Sequence, residues 1–104
     1  MMTLENGDEY EGEWDELNRK DGKGILISPD GSKYEGYWKE DKANGRGRLT
    51  YANGDIYEGE LKDDKAHGYG KYYNNATGVR YEGYWFEDKK HGKGLEIGPL
   101  NTYY

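Results

Sequence analysis

Tyr34-Glu35-Gly36-Tyr37-Trp38, the polar stretch Lys39–Asn44, Gly45-Arg46-Gly47, and then Asn53-Gly54 just ahead of Tyr57-Glu58-Gly59 form the passage that decides the fold. Its first tripeptide occurs four times, at Tyr10-Glu11-Gly12, Tyr34-Glu35-Gly36, Tyr57-Glu58-Gly59 and Tyr81-Glu82-Gly83, in steps of 24, 23 and 24 residues. A Gly-x-Gly signature keeps pace with it at Gly22/Gly24, Gly45/Gly47, Gly68/Gly70 and Gly92/Gly94, each 11 or 12 residues after its tyrosine. A fixed period of this size marks a repeat architecture and has to be explained before anything else. The uneven steps come from one extra residue in the first loop, Asp15–Asp21, and another in the linker Asn74–Arg80, both in segments that tolerate insertion.

Between the signatures the sequence has the texture of turns: Lys39–Asn44, Lys62–His67 and Phe86–His91. Asn6-Gly7, Asp30-Gly31, Asn53-Gly54 and Thr77-Gly78 precede the four tyrosines, and Asn-Gly or Asp-Gly is the strongest short signal for a tight turn. Each unit is therefore expected to run strand, polar turn, strand, linker. The whole is predicted to be all-β: an elongated array of four consecutive antiparallel β-hairpins in one twisted repeat sheet. It forms a single array over residues 1–104, with units of approximately 10–33, 34–56, 57–80 and 81–104. At about 4.8 Å per strand, eight strands span roughly 40 Å.

Residues two apart in a strand share a face. Tyr34, Gly36 and Trp38 then point one way, with Glu35 and Tyr37 on the other, and Gly45, Gly47, Leu49 and Tyr51 fall together on the returning strand. A ring from a neighbouring hairpin is expected to fill the slot left by each missing Cβ. The structural repeat core is thus Tyr10, Gly12, Trp14, Tyr34, Gly36, Trp38, Tyr57, Gly59, Leu61, Tyr81, Gly83 and Trp85, with its large side chains in a continuous stripe. On the opposite face Glu11, Glu35, Glu58 and Glu82 are expected to meet Lys23, Arg46, Arg48, Lys71 and Lys93, each cross-strand pair contributing roughly 0.2–1 kcal/mol.

Composition supports a ring-based core. Only 33% of residues are hydrophobic, and Leu, Ile, Val and Phe number 13, but there are 17 glycines, twelve tyrosines and three tryptophans. Each buried ring removes about 150–250 Å² from water, which a solvating tail would not need. The net charge of −6 with interspersed signs leaves no basic face for phosphates, so nucleic acid is not expected as a partner. No cysteine is present, Met1–Tyr10 lacks the regions of a secretory signal, and the longest aliphatic run is Ile25-Leu26-Ile27. These features point to a cytoplasmic location.

Tyr-Glu-Gly-x-Trp, a polar turn, Gly-x-Gly and an Asn/Asp-Gly linker resemble the MORN (membrane occupation and recognition nexus) repeat, through four units and about nine-tenths of the chain. The departures are Leu61 in place of the tryptophan, and the missing linker and tyrosine after Gly98, where Pro99–Tyr104 resembles a cap or a cut. The resemblance implies a scaffold whose partners lie along the repeat face, in cytoskeletal or membrane-proximal structures. It also implies two alternatives: attachment to acidic phospholipid, and the non-catalytic repeat region of a larger enzyme.

No catalytic apparatus is legible. His67 and His91 hold the same repeat position, about 10 Å apart by strand spacing, too far to share a metal. The glycines match neither a dinucleotide fingerprint nor a P-loop. Ser28 and Ser32 stand in no nucleophile elbow, and Glu11, Glu35, Glu58 and Glu82 recur in every unit as a surface pattern would. Asn75-Ala76-Thr77 matches a glycosylation triplet without a secretory signal. The expectation is a chain that is not an enzyme and takes no cofactor or metal. Its partner-binding candidates are Tyr37, Tyr84, Tyr69 and Tyr73, with Phe86 at a turn, since exposed tyrosine brings contact area at low entropic cost. For the lipid alternative the headgroup candidates are Arg46, Arg48, Lys89, Lys90 and Lys93, each worth about 1 kcal/mol at an anionic surface. Both ends of such a sheet are open edges, so an end-to-end dimer is a further expectation, with Pro99 blunting one edge.

Overall fold

The computed structural model describes residues 2–98, and in it the repeat becomes one antiparallel sheet whose strands follow each other in chain order. They are β1 (Met2–Thr3), β2 (Glu9–Trp14), β3 (Lys20–Ile27), β4 (Lys33–Lys39), β5 (Lys42–Thr50), β6 (Ile56–Lys62), β7 (Lys65–Tyr73), β8 (Arg80–Phe86) and β9 (Lys89–Ile97). Among the described residues there is no helix. The sheet measures 54 × 26 × 16 Å. It is longer than the roughly 40 Å expected of eight strands, and a ninth strand adds to the length. That strand is β1, which pairs Met2 with Tyr10 and Thr3 with Glu9 across the Asn6-Gly7 turn. The expected blunting by Pro99 lies outside the described residues.

Register turns the repeat into a row. Gly12, Gly24, Gly36, Gly47, Gly59, Gly70, Gly83 and Gly94 face one another across all eight long strands. Over this row lie the tyrosines. Tyr57 reaches along its own strand, passes over Gly59, and donates its hydroxyl to the Glu60 carbonyl at 2.7 Å. Tyr10, Tyr34 and Tyr81 do the same to the carbonyls of Glu13, Tyr37 and Tyr84 at 2.8, 2.9 and 3.3 Å. A methyl group on Gly24, Gly47, Gly70 or Gly94 would collide with the tyrosine of the same hairpin. The slot is therefore filled from within each hairpin and not by the neighbouring one, because the tyrosine stands only two residues from the glycine pair on its own strand. Burial pushes the Tyr34 phenol up to about 12.

Tryptophan makes the link between hairpins. Trp38 packs edge-on against Tyr10 of the preceding unit, 5.7 Å between centroids, and donates its indole N–H to the Gly24 carbonyl at 3.1 Å. Trp85 repeats this against Tyr57 and the Gly70 carbonyl, at 5.4 and 3.1 Å. Among the described residues no repeat unit precedes that of Trp14; it packs on its own Tyr10 and remains 37% exposed, so the expected stripe begins at Tyr10 and not at Trp14. Leu61 is buried in the tryptophan position, and Ala43 and Ala66, opposite Trp38 and Leu61, complete the core.

The turns are tighter than the polar stretches suggest. In three units only two residues lie outside the strands: Glu40-Asp41, Asp63-Asp64 and Glu87-Asp88, all with positive φ, as a two-residue hairpin turn requires. The remaining polar residues belong to the strands, and a bulge opposite Tyr37, Glu60 and Tyr84 absorbs the surplus length. The second residue of each turn also clasps the hairpin before it. Asp41, Asp64 and Asp88 each accept the backbone N–H of Lys20, Ala43 and Ala66 at 2.7 Å, and donate their own N–H to the carbonyl of the same residue.

The expected ladder of charge pairs is only partly formed. Arg48 stands between Glu35 and Glu58, and Lys71 between Glu58 and Glu82, but Glu11 faces Ile25, Glu82 also faces Leu95, Lys23 faces Tyr37 and Arg46 faces Glu60. Among the described residues the only one of the four glutamates in an ion pair is Glu35, with Lys33 of its own strand at 3.4 Å. The two-residue turns and bulges set a register that alternation alone did not reveal.

Asp55 is the one buried charge among the described residues. Its carboxylate accepts the Tyr72 hydroxyl at 2.6 Å and the Asn75 N–H at 2.8 Å. The Tyr72 bond first, then the Asn75 bond, holds its carboxyl below the ordinary value of 3.8.

Two tests follow from this packing. Gly70→Ala should cost at least about 2 kcal/mol in urea denaturation, since it drives a methyl into the Tyr57 ring, whereas Gly98→Ala, with nothing within 4 Å, should stay within about 0.5 kcal/mol of the parent. A Gly70→Ala chain of parental stability would remove the ring-over-glycine account. For Asp55, a lowered folded value means that its stabilisation is present above the ordinary carboxylate range and lost as pH falls through the folded value. The stability gap between parent and Asp55→Ala should be full near neutral pH and close in acid; a gap that does not change with pH would contradict the assignment.

Candidate functional site

A single-layer sheet has two faces, and here the rings occupy one. On the other, each strand presents the neighbours of its row glycine. Beyond the glycines toward the turns these are Lys23, Tyr37, Arg46, Glu60, Tyr69 and Tyr84, in consecutive strands from β3 to β8. Tyr69 and Tyr84 are directly opposed and meet edge-to-face at 5.6 Å between centroids. They are 39% and 52% exposed, and Tyr37, three strands and about 14 Å away in the same row, is 47% exposed. Arg46 and Glu60 stand between them, cross-strand partners of opposite sign.

The bulges aim these side chains. Tyr37 and Tyr84 lie in the short arm of each bulge, between the paired glycine and the paired tryptophan of their strands. Their carbonyls are held from behind by the hydroxyls of Tyr34 and Tyr81. The backbone carrying the exposed ring is thus fixed by the buried ring of the same strand.

Tyr73, the fourth partner-binding candidate, is not brought to the other three. It lies on the same face at the far end of β7, half-buried between Ile56 and Arg80. Phe86 stacks against both His67 and His91, at 5.1 and 5.7 Å between centroids. Among the described residues no group of three or more His, Cys, Asp or Glu side chains is placed to hold a metal.

The headgroup candidates divide between the two faces. Arg46 and Arg48 are exposed two residues apart, flanked across the strands by Glu35, Glu58 and Glu60. Lys89 stands beside the last turn and Lys93 projects from β9. Lys90 is on the ring face: its ammonium lies 4.8 Å from the centre of the Tyr81 ring and 3.0 Å from the Glu96 carboxylate. It takes the place that Ala43 and Ala66 hold in the central units, where a lysine stem covers the ring and its charge meets the ring's negative face. Lys20 does the same over Tyr10 and Trp38.

A trough of about 480 Å³ runs beside the tyrosine row at its N-terminal end. Its floor is the backbone of Gly12, Gly24 and Gly36, and its walls are Glu11, Ile25 and Glu35 on one side and Lys23 on the other.

What the sequence reading missed are the clasping aspartates, the two core alanines and the buried Asp55. The recurrence of Asp at 41, 64 and 88, three residues after Trp38, Leu61 and Trp85, was an available signal for the first of these.

Among the described residues no helix is long and apolar enough to cross a membrane. A comparison with curated proteins finds no match. The family model described as MORN repeat matches four consecutive segments, residues 10–33, 34–56, 57–75 and 81–99. With rings over glycines in every hairpin and four matches covering most of its length, the chain belongs to the MORN repeat family.

Proposed function

We propose that this chain is a non-catalytic scaffold that binds a protein partner on the face opposite its ring core, with Tyr37, Tyr69 and Tyr84 as the contact residues. The observation that carries this reading is the Tyr69–Tyr84 pair, exposed and in line with Tyr37. The fold does not ask for these rings. At the position of Tyr37 and Tyr84, the first and third units carry Glu13 and Glu60, so the repeat tolerates a charged residue there. Tyrosines that packing does not require, set on a rigid sheet, are economical contact residues: they bring large area with little side-chain entropy to lose. The interleaved Arg46 and Glu60, and the trough beside Tyr37, supply polar contacts that set the register of a bound polypeptide.

Acidic phospholipid is less well supported, because Lys90 is engaged on the ring face and glutamates flank Arg46 and Arg48. Cytoplasmic location and a cytoskeletal or membrane-proximal setting belong to the same proposal. The test is affinity capture with the parent chain and a Tyr37→Ser/Tyr84→Ser variant, alongside flotation with vesicles containing phosphoinositide. The variant should keep the parent's denaturation midpoint and recover the partner at least about tenfold less efficiently. Equal recovery would move the site off this face, and flotation with vesicles in place of a captured protein would replace the scaffold reading by the lipid one.

A further inference from the structure

Three junctions inside the chain show what one hairpin requires of the next. At the first, the preceding hairpin offers the Gly24 carbonyl, the ring of Tyr10, and the backbone N–H and C=O of Lys20; the following one supplies Trp38 and, three residues on, Asp41. At the third, the Gly70 carbonyl, Tyr57 and Ala66 receive Trp85 and Asp88. The middle junction keeps the aspartate clasp and replaces the indole by Leu61.

β9 presents the same receiving set once more. It carries Gly94 in the place of Gly24 and Gly70, Lys90 in the place of Lys20 and Ala66, and Tyr81 beside them. It is the last strand of the sheet among the described residues, and it is exposed along almost its whole length. Lys90 covering Tyr81 is no obstacle, because Lys20 lies over Tyr10 while Trp38 packs against both.

From this we infer that the outer edge of β9 is a binding site for an extended segment of a partner protein that carries a tryptophan followed three residues later by an aspartate. The segment adds antiparallel to β9. Its indole N–H donates to the Gly94 carbonyl, its ring packs at a right angle against the Tyr81 ring, and its aspartate accepts the Lys90 N–H. Backbone pairing supplies affinity and the two side chains supply selection, as in other cases of strand addition. A second copy of this chain fits less well. Its β2 brings Trp14, but Leu17 stands three residues on, the first turn is longer and holds Asn18 in the left-handed conformation, and β1 already pairs with part of the outer edge of β2. Among the described residues, the outer edges of β2 and β9 are therefore not complementary to each other.

A labelled synthetic peptide with the sequence of residues 33–50, which contains Trp38 and Asp41, serves as the probe against the full chain. It should bind saturably, slow amide exchange along Lys89–Ile97 and leave β1 and β2 unchanged. The Trp38→Ala and Asp41→Ala peptides should each bind at least about tenfold more weakly, since each loses a bond to a fixed backbone group. In the full chain, Lys90→Ala should keep peptide binding, as alanine holds that place at two internal junctions, whereas Lys90→Pro, which removes the amide, should lose it. The Tyr37→Ser/Tyr84→Ser chain should bind the peptide as the parent does, which separates this edge from the face proposed above. No binding, equal affinity of the three peptides, or protection away from β9 would overturn the assignment. So would self-association of the parent chain that the peptide competes away, which would give the edge to a second copy.

Discussion

Everything in this molecule rests on a tyrosine lying flat over a pair of glycines, with its hydroxyl tied to a carbonyl three residues along its own strand. A sheet normally buries one face against a second layer. Here a second layer is absent among the described residues, so the sheet must make a core from side chains lying on itself. A ring can lie that low only where the strand beneath has no Cβ, and a ring buried beside the backbone needs an acceptor for its hydroxyl within reach. The Tyr-x-Gly spacing with the glycine row satisfies both conditions at once. It also specifies register: a slip of one residue would set Lys23, Arg46, Tyr69 and Lys93, or Ile25, Arg48, Lys71 and Leu95, against the rings in place of glycine.

The junctions between hairpins are built differently and are not equivalent. Within a hairpin the tyrosine is sufficient; between hairpins an indole reaches back to a glycine carbonyl and a turn aspartate clasps a backbone amide and carbonyl. The first and third junctions use both, and the second uses the clasp with Leu61 buried where the indole would be. Arrays of this kind hold together by nearest-neighbour contacts, so cooperativity between the two halves depends on the middle junction. Loss of the indole hydrogen bond there is accompanied by the Asp55, Tyr72 and Asn75 network at the linker end of the third hairpin, which fixes that end by two hydrogen bonds to a charged acceptor.

The period, the all-β class, the single sheet and the ring core were legible from Tyr-Glu-Gly and Gly-x-Gly, because those residue types answer to steric conditions that few others meet. Three features were not. The two-residue turns are made by Glu40-Asp41, Asp63-Asp64 and Glu87-Asp88 with no glycine, so they carry none of the usual signal for positive φ. The bulges follow from those turns and shift which charges face each other, and so the glutamate–lysine ladder came out differently. Strand β1 is two residues long, below what alternation can reveal. On the face opposite the ring core, alternation separated Tyr37 and Tyr84 from the core, but only cross-strand register shows that Tyr69 joins them and Tyr73 does not.

That separation of faces has a consequence for how the units vary. Because the repeat signature is spent entirely on one side of the sheet, the residues of the other side are released from the demands of folding, and their variation from unit to unit is information of a different kind. Glu13, Tyr37, Glu60 and Tyr84 occupy one repeat position with two chemistries, while the tyrosines over the glycines never vary within the chain. Invariance inside the chain therefore marks packing, and irregularity marks the face that packing leaves unconstrained, the one on which the proposed contact residues stand. The ends of the array obey a third rule. Among the described residues the junction contacts are incomplete at Trp14 on one side and at Gly94 and Lys90 on the other, and these show which contacts a junction consists of.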